Sequence, residues 1–176
     1  MQNKLSARNI ALLSALLAIS LVLSVVESML GALVPLPIPG VKLGLANIVS
    51  MFLLSYFSLP AALTLGLLRS FVASLFTGGF GMFLYSAPGV IFSVLAMFAA
   101  IKTLKALSIV GISMIGACIH NFMQVCVAVL TTGESRLFYY AFILLIVGAV
   151  SGTITGAVAR AVFPRAANAL KLQTRK

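Results

Sequence analysis

Six apolar runs, separated only by short polar breaks, constrain this chain more than any other feature. They cover about residues 10–33, 43–57, 60–76, 82–100, 107–130 and 137–162, and a basic tail follows over 163–176. With 62% hydrophobic and only 8% charged residues, a chain of 176 residues has too much apolar surface to hide from water. Lipid must be its solvent, and in lipid a run of this kind is helical because every backbone polar group must be satisfied internally. The expected fold is therefore an all-α integral membrane protein of six transmembrane helices, forming a single membrane domain over 1–176.

An even number of spans puts both termini on one side. With that side cytoplasmic, the inner segments hold nine basic residues: Lys4, Arg8, Lys102, Lys105, Arg160, Arg165, Lys171, Arg175 and Lys176. The outer loops hold two, Lys42 and Arg136, and Arg69 lies inside a span. Lys and Arg flanking spans are retained in the cytoplasm, so both termini are expected there. The first span could be read as a signal peptide. Its removal would leave five spans and strand the basic C-terminus outside, so it is kept. The net charge of +10 lies at span ends, which suits anionic lipid at the cytoplasmic face. It forms no basic face of the kind nucleic acid requires.

Between the first two runs stands Pro35, Pro37 and Pro39, then Gly40, Lys42, Gly44 and Asn47. Alternate prolines cannot be helical and hold the chain extended. A rigid lip thus feeds a helix that carries polar groups into the membrane. Other spans carry groups that lipid disfavours: Glu27, Arg69, His120, Asn121 and Gln124. From ~1.5 Å of rise per residue, Arg69 and Asn47 lie ~14 to 17 Å from the cytoplasmic end, and His120 at ~20 Å. Glu27, Lys42 and Gln124 come out near ~24 to 26 Å. All lie at the midplane or above it, over an apolar inner half. That asymmetry predicts a pocket open to the outside, because ionisable groups at such depth usually face a cavity or a partner.

His120 and Gln124 share a helix face, with Asn121 one step round. Such a trio can hydrogen-bond a polar ligand, or it can fasten neighbouring helices. Glu27 matches Lys42 in depth and could pair with it. Arg69, deeper, is left to meet an anionic ligand or a carbonyl. Gly148, Gly152 and Gly156 recur every four residues, a stripe that lets another helix approach closely and suits internal packing. Ala11 and Ala15 form an AxxxA pair on the first span. Cys118 and Cys126, eight apart on one helix, are separated by ~12 Å of rise and cannot form a disulfide.

Catalytic motifs are missing. There is no phosphate loop of the G-x-x-x-x-G-K-[ST] kind. One His, two Cys and two Glu assemble no metal cage of standard spacing, and the lone His has no acidic orienter nearby in sequence. No cofactor is implied, and the chain is not expected to be an enzyme on its own.

Two segments carry a family resemblance. KLGLANIV, from Lys42 through Asn47 to Val49, resembles the signature of the Gx transporter family, also labelled heptaprenyl diphosphate synthase component I. LYSAPG, from Leu84 to Gly89, is similar to that family's fourth span. More widely, the chain resembles the substrate-binding S components of energy-coupling factor (ECF) transporters of the bacterial cytoplasmic membrane. These are six-helix proteins with both termini inside and an outward-facing ligand pocket. The resemblance implies capture of a small, anionic or polar aromatic molecule from the outer face. Lys42 and Arg69 would be the charge contacts, Asn47, His120, Asn121 and Gln124 the hydrogen-bonding contacts, and Glu27 a counter-ion. It also implies docking of Ala11 and Ala15 on a transmembrane T subunit coupled to two ATPases. The synthase label implies the alternative of a non-catalytic accessory subunit. The chain holds no aspartate, and its two glutamates are 107 positions apart, so it has no cluster to bind magnesium and diphosphate for prenyl transfer. A ligand-free membrane scaffold is the third reading.

Overall fold

A computed structural model describes residues 7–32, 44–104 and 106–172 of the chain; of residues 30–32 it describes the backbone alone. Every element in it is helical: α1 (Ala7–Ala32), α2 (Asn47–Tyr56), α3 (Leu59–Thr77), α4 (Phe80–Thr103), α5 (Ile109–Thr132), a short 3-10 turn η1 (Ser135–Phe138) and α6 (Tyr139–Ala169). Five of them are long and apolar enough to cross a membrane.

The exception is α2. The sequence predicts a second span over 43–57, yet α2 has ten residues and rises only about 15 Å. Its start is set by a turn over residues 44–46, in which Gly44 takes φ +87°, a conformation that other residues rarely adopt. Its end is set by Ser58, whose hydroxyl caps α3 by accepting the Ala61 N–H, and by Pro60 in the first turn of α3. A half-length helix whose ends are fixed this way cannot extend across the bilayer. Seven of its ten residues are buried, so it sits inside the protein.

The five long helices form an open ring around α2. In order of contact they run α1, α3, α4, α5, α6, and α2 touches all five. α1 and α6 do not touch, so the ring is broken between them. The core gathers Met51, Phe52 and Leu53 of α2 with Val90, Val94 and Met97 of α4 and Phe163 of α6. Phe52 meets Phe163 edge-to-face at 5.1 Å between ring centres, tying α2 to α6.

Two prolines expected to interrupt helices do not. α4 continues through Pro88 and α6 through Pro164. The basic segment placed after the sixth span therefore begins as helix, with Phe163 and Ala167 buried and Pro164 exposed. The α5–α6 contact is the closest in the molecule. A Cβ built on Gly152 would stand 2.6 Å from the Met114 Cα, and one on Gly156 2.6 Å from the Val110 Cα. Only glycine permits backbones to approach so closely.

Candidate functional site

α1 supplies the first part of the site in an unusual way. Among its described side chains only Ser20, Ser24 and Glu27 are buried. They stand four and three residues apart, on one stripe of the helix. A helix whose apolar residues face lipid and whose inward stripe is polar inverts the pattern of a water-soluble protein. The stripe meets α3 and α2.

Glu27 marks where that stripe meets the start of α2. Its carboxylate accepts the Leu45 N–H at 2.6 Å and the Ala46 N–H at 3.4 Å. These amides precede the first turn of α2, where backbone donors lack intrahelical partners and the helix dipole is positive. Ala46, the capping residue, has no side chain that could satisfy them. A carboxylate from a different helix therefore caps α2 inside the membrane. This is the role the structure gives Glu27, beside the counter-ion role expected of it. Lys42, its expected partner, lies outside the described residues.

The depth of this cap follows from the other end of α2. The α2–α3 turn, with Ser58 and Pro60, shares a crevice with Ile101 and Lys102 at the basic end of α4. Asn47 is nine residues above Tyr56, hence about 14 Å from that end and near mid-membrane. Arg69 on α3 rises about 15 Å above Leu59 to the same level. Ser20, Ala46, Ser50, Gly66 and Arg69 line one crevice there, too narrow to hold water. Arg69 is buried and interacts electrostatically with Glu27. Among the described residues, its Nε, the Asn47 Nδ2 and the Ser70 Oγ find no hydrogen-bond partner. Buried polar atoms are nearly always paired, so each of these calls for a reason.

The α5 trio forms the second part. His120, Asn121 and Gln124 are all buried, at about 16 to 23 Å above Ile109. His120 packs edge-on over Gly89 of α4, where a Cβ would come within 3.0 Å of the imidazole Nδ1 and Cε1. Gly89 thus makes room for the ring. Asn121 turns the other way and donates from Nδ2 to the Leu144 carbonyl of α6 at 3.0 Å, while its Oδ1 has no partner among the described residues. The two parts adjoin where Gly44 stacks on Ala117, with Asn47 beside it.

The family described as heptaprenyl diphosphate synthase component I matches residues 16–162. The chain belongs to this family. No curated protein and no solved structure matches it. The region that defines the component I family holds Glu27, Lys42, Asn47, Arg69, the α5 trio and the three glycines of α6. Ala11 and Ala15 precede it, and Arg165 and Lys171 follow it.

Sequence reasoning missed the serines. Ser20, Ser24, Ser50, Ser70 and Ser74 are all buried around the Glu27–Arg69 level. The spacing of Ser20 and Ser24 ahead of Glu27 was the available signal, as was Ser50 one turn after Asn47. Ser113 and Thr155, hydrogen-bonded at 2.8 Å between α5 and α6, are a further polar pair that went unremarked. Ala11 and Ala15 lie exposed on α1.

Proposed function

We propose that this component I family member is a non-catalytic membrane subunit that binds a small anionic molecule from its outer face, in the manner of an ECF S component. The observation that carries the reading is the helix start at mid-membrane beside an incompletely paired guanidinium. α2 presents its positive end there, next to Arg69. The single carboxylate near them, Glu27, is engaged by the α2 amides. Half-helices that begin at the midplane are a recurrent way to hold charged ligands in transporters. Asn47 Nδ2, Ser70 Oγ and Asn121 Oδ1 would supply directional contacts once a ligand is present. Transport would need a coupling subunit and ATPases. The exposed Ala11 and Ala15 on the lipid side of α1 are the surface proposed to receive that subunit.

Native mass spectrometry of the protein purified from its own membrane tests the reading. A small anionic molecule should co-purify with it, and Arg69→Met or Asn47→Ala should release that molecule without changing thermal stability by more than a few degrees. Unchanged occupancy in both variants would reject the site. The family's description supports a second reading, an accessory role beside a prenyl diphosphate synthase. Adding this chain to the catalytic subunit should then raise prenyl transfer at a membrane, and no effect would discard that reading.

A further inference from the structure

The break in the ring holds a second, chemically different site. Between α1 and α6, floored by α2, runs a groove of about 450 Å³. Leu16, Ile19, Ile48, Phe52, Val158 and Val162 line it. Ile19, Val158 and Val162 are also exposed on the outside of the protein, so the groove opens sideways to lipid. Thr155 is the one polar side chain in its wall, and its hydroxyl is already committed to Ser113 and to the Ser151 carbonyl. The groove offers hydrocarbon and nothing else.

Its lower end is different. Leu170 closes the wall there, and Arg8 reaches across from α1 to donate to the Leu170 carbonyl. Lys171 follows directly and is exposed. The guanidinium has five donors and spends one on that carbonyl, which leaves a fork suited to phosphate beside a second point charge. The chain's two acids offer no competition, since Glu27 is bound at mid-membrane and Glu134 lies at the far end.

We infer that this groove binds a prenyl phosphate or diphosphate lying in the inner leaflet, with its chain between α1 and α6 and its phosphate between Arg8 and Lys171. A glycerophospholipid fits less well on two counts. It has two tails where the groove has one, and its ester carbonyls would find no donor below the phosphate. In a prenyl phosphate the hydrocarbon begins at once, as the wall does, and its methyl branches suit a lining of Ile and Val. The site is independent of the outer-face site, because the groove residues and the Arg69 crevice lie on opposite sides of α2's contact with α1.

The test uses the full chain in phosphatidylcholine nanodiscs and a benzophenone-bearing farnesyl diphosphate. Illumination should label peptides of α1 and α6. Geranylgeranyl diphosphate should compete, whereas phosphatidylglycerol and inorganic diphosphate should not. Arg8→Gln with Lys171→Gln should weaken labelling at least tenfold, and Val158→Trp, which fills the groove from an exposed position, should abolish it. Arg69→Met should leave it unchanged while emptying the outer-face site, so the two readings fail separately. Equal competition by phosphatidylglycerol would reduce the groove to a general lipid contact. Competition by diphosphate alone would reduce it to a headgroup site, and labelling elsewhere than α1 and α6 would overturn it outright.

Discussion

Glu27 is the residue on which the buried polar layer turns. It satisfies the α2 amides, and its charge is the one Arg69 meets. Removing it should therefore do two kinds of damage. Glu27→Ala strands two buried donors, at a cost of roughly 1–3 kcal/mol, and leaves a buried cation without its counter-charge. Arg69→Met alone frees the carboxylate but keeps the cap, so it should cost less. The double variant should lose less stability than the two single losses added together, because the partners share one interaction. Thermal unfolding of the four proteins in one detergent gives that cycle; strict additivity would mean that the two groups do not interact. Sequence reasoning placed both residues at about the right depth, because depth follows from helical rise. It could not see which donors Glu27 faces, since those amides belong to another helix. Asn121 teaches the same lesson. Its polarity was legible, but its bond to the Leu144 carbonyl depends on how α5 and α6 are rotated.

Among the elements, α5 and α6 form the tightest pair and α1 the loosest attachment. The glycine stripe of α6 stands against α5 backbone, with no room for a side chain at Gly152 or Gly156. Gly152→Leu should separate the helices and cost roughly 1–3 kcal/mol, read as a drop in thermal midpoint. Val150→Leu, on the exposed side of the same helix, should leave the midpoint in place. An equal drop in both would point to helix propensity and away from packing. The glycine stripe could be read from its period of four alone. The short α2 could not, because residues 43–57 are apolar throughout and nothing in that pattern marks where the helix begins. The turn at Gly44 and the cap from Glu27 decide that.

On the scale of the whole molecule, five long helices make a broken ring about a half-helix, and the break carries a groove. The α2–α3 turn lies beside Lys102, and Arg8 bonds the end of α6, so the basic residues gather at one end. Charge bias assigns that end to the cytoplasm. In a background lacking Cys118 and Cys126, Ser135→Cys should react with an impermeant maleimide added to intact cells. Lys171→Cys should react only after permeabilisation, and the opposite pattern would invert the molecule and place the candidate site on the inner side.

The sequence by itself determined that the chain lives in lipid, that it is helical, which end is basic, and which side chains lie too deep to be there by default. Those properties follow from composition, from period and from rise per residue, all local to one stretch of chain. Only the tertiary structure decided that α2 stops half-way, that Glu27 caps it, that Asn121 turns to α6 and that α1 and α6 stand apart. Each of those depends on how separate helices are rotated and spaced against one another, and in a membrane that is set by close packing and hydrogen bonding between helices, which apolarity along one run does not encode.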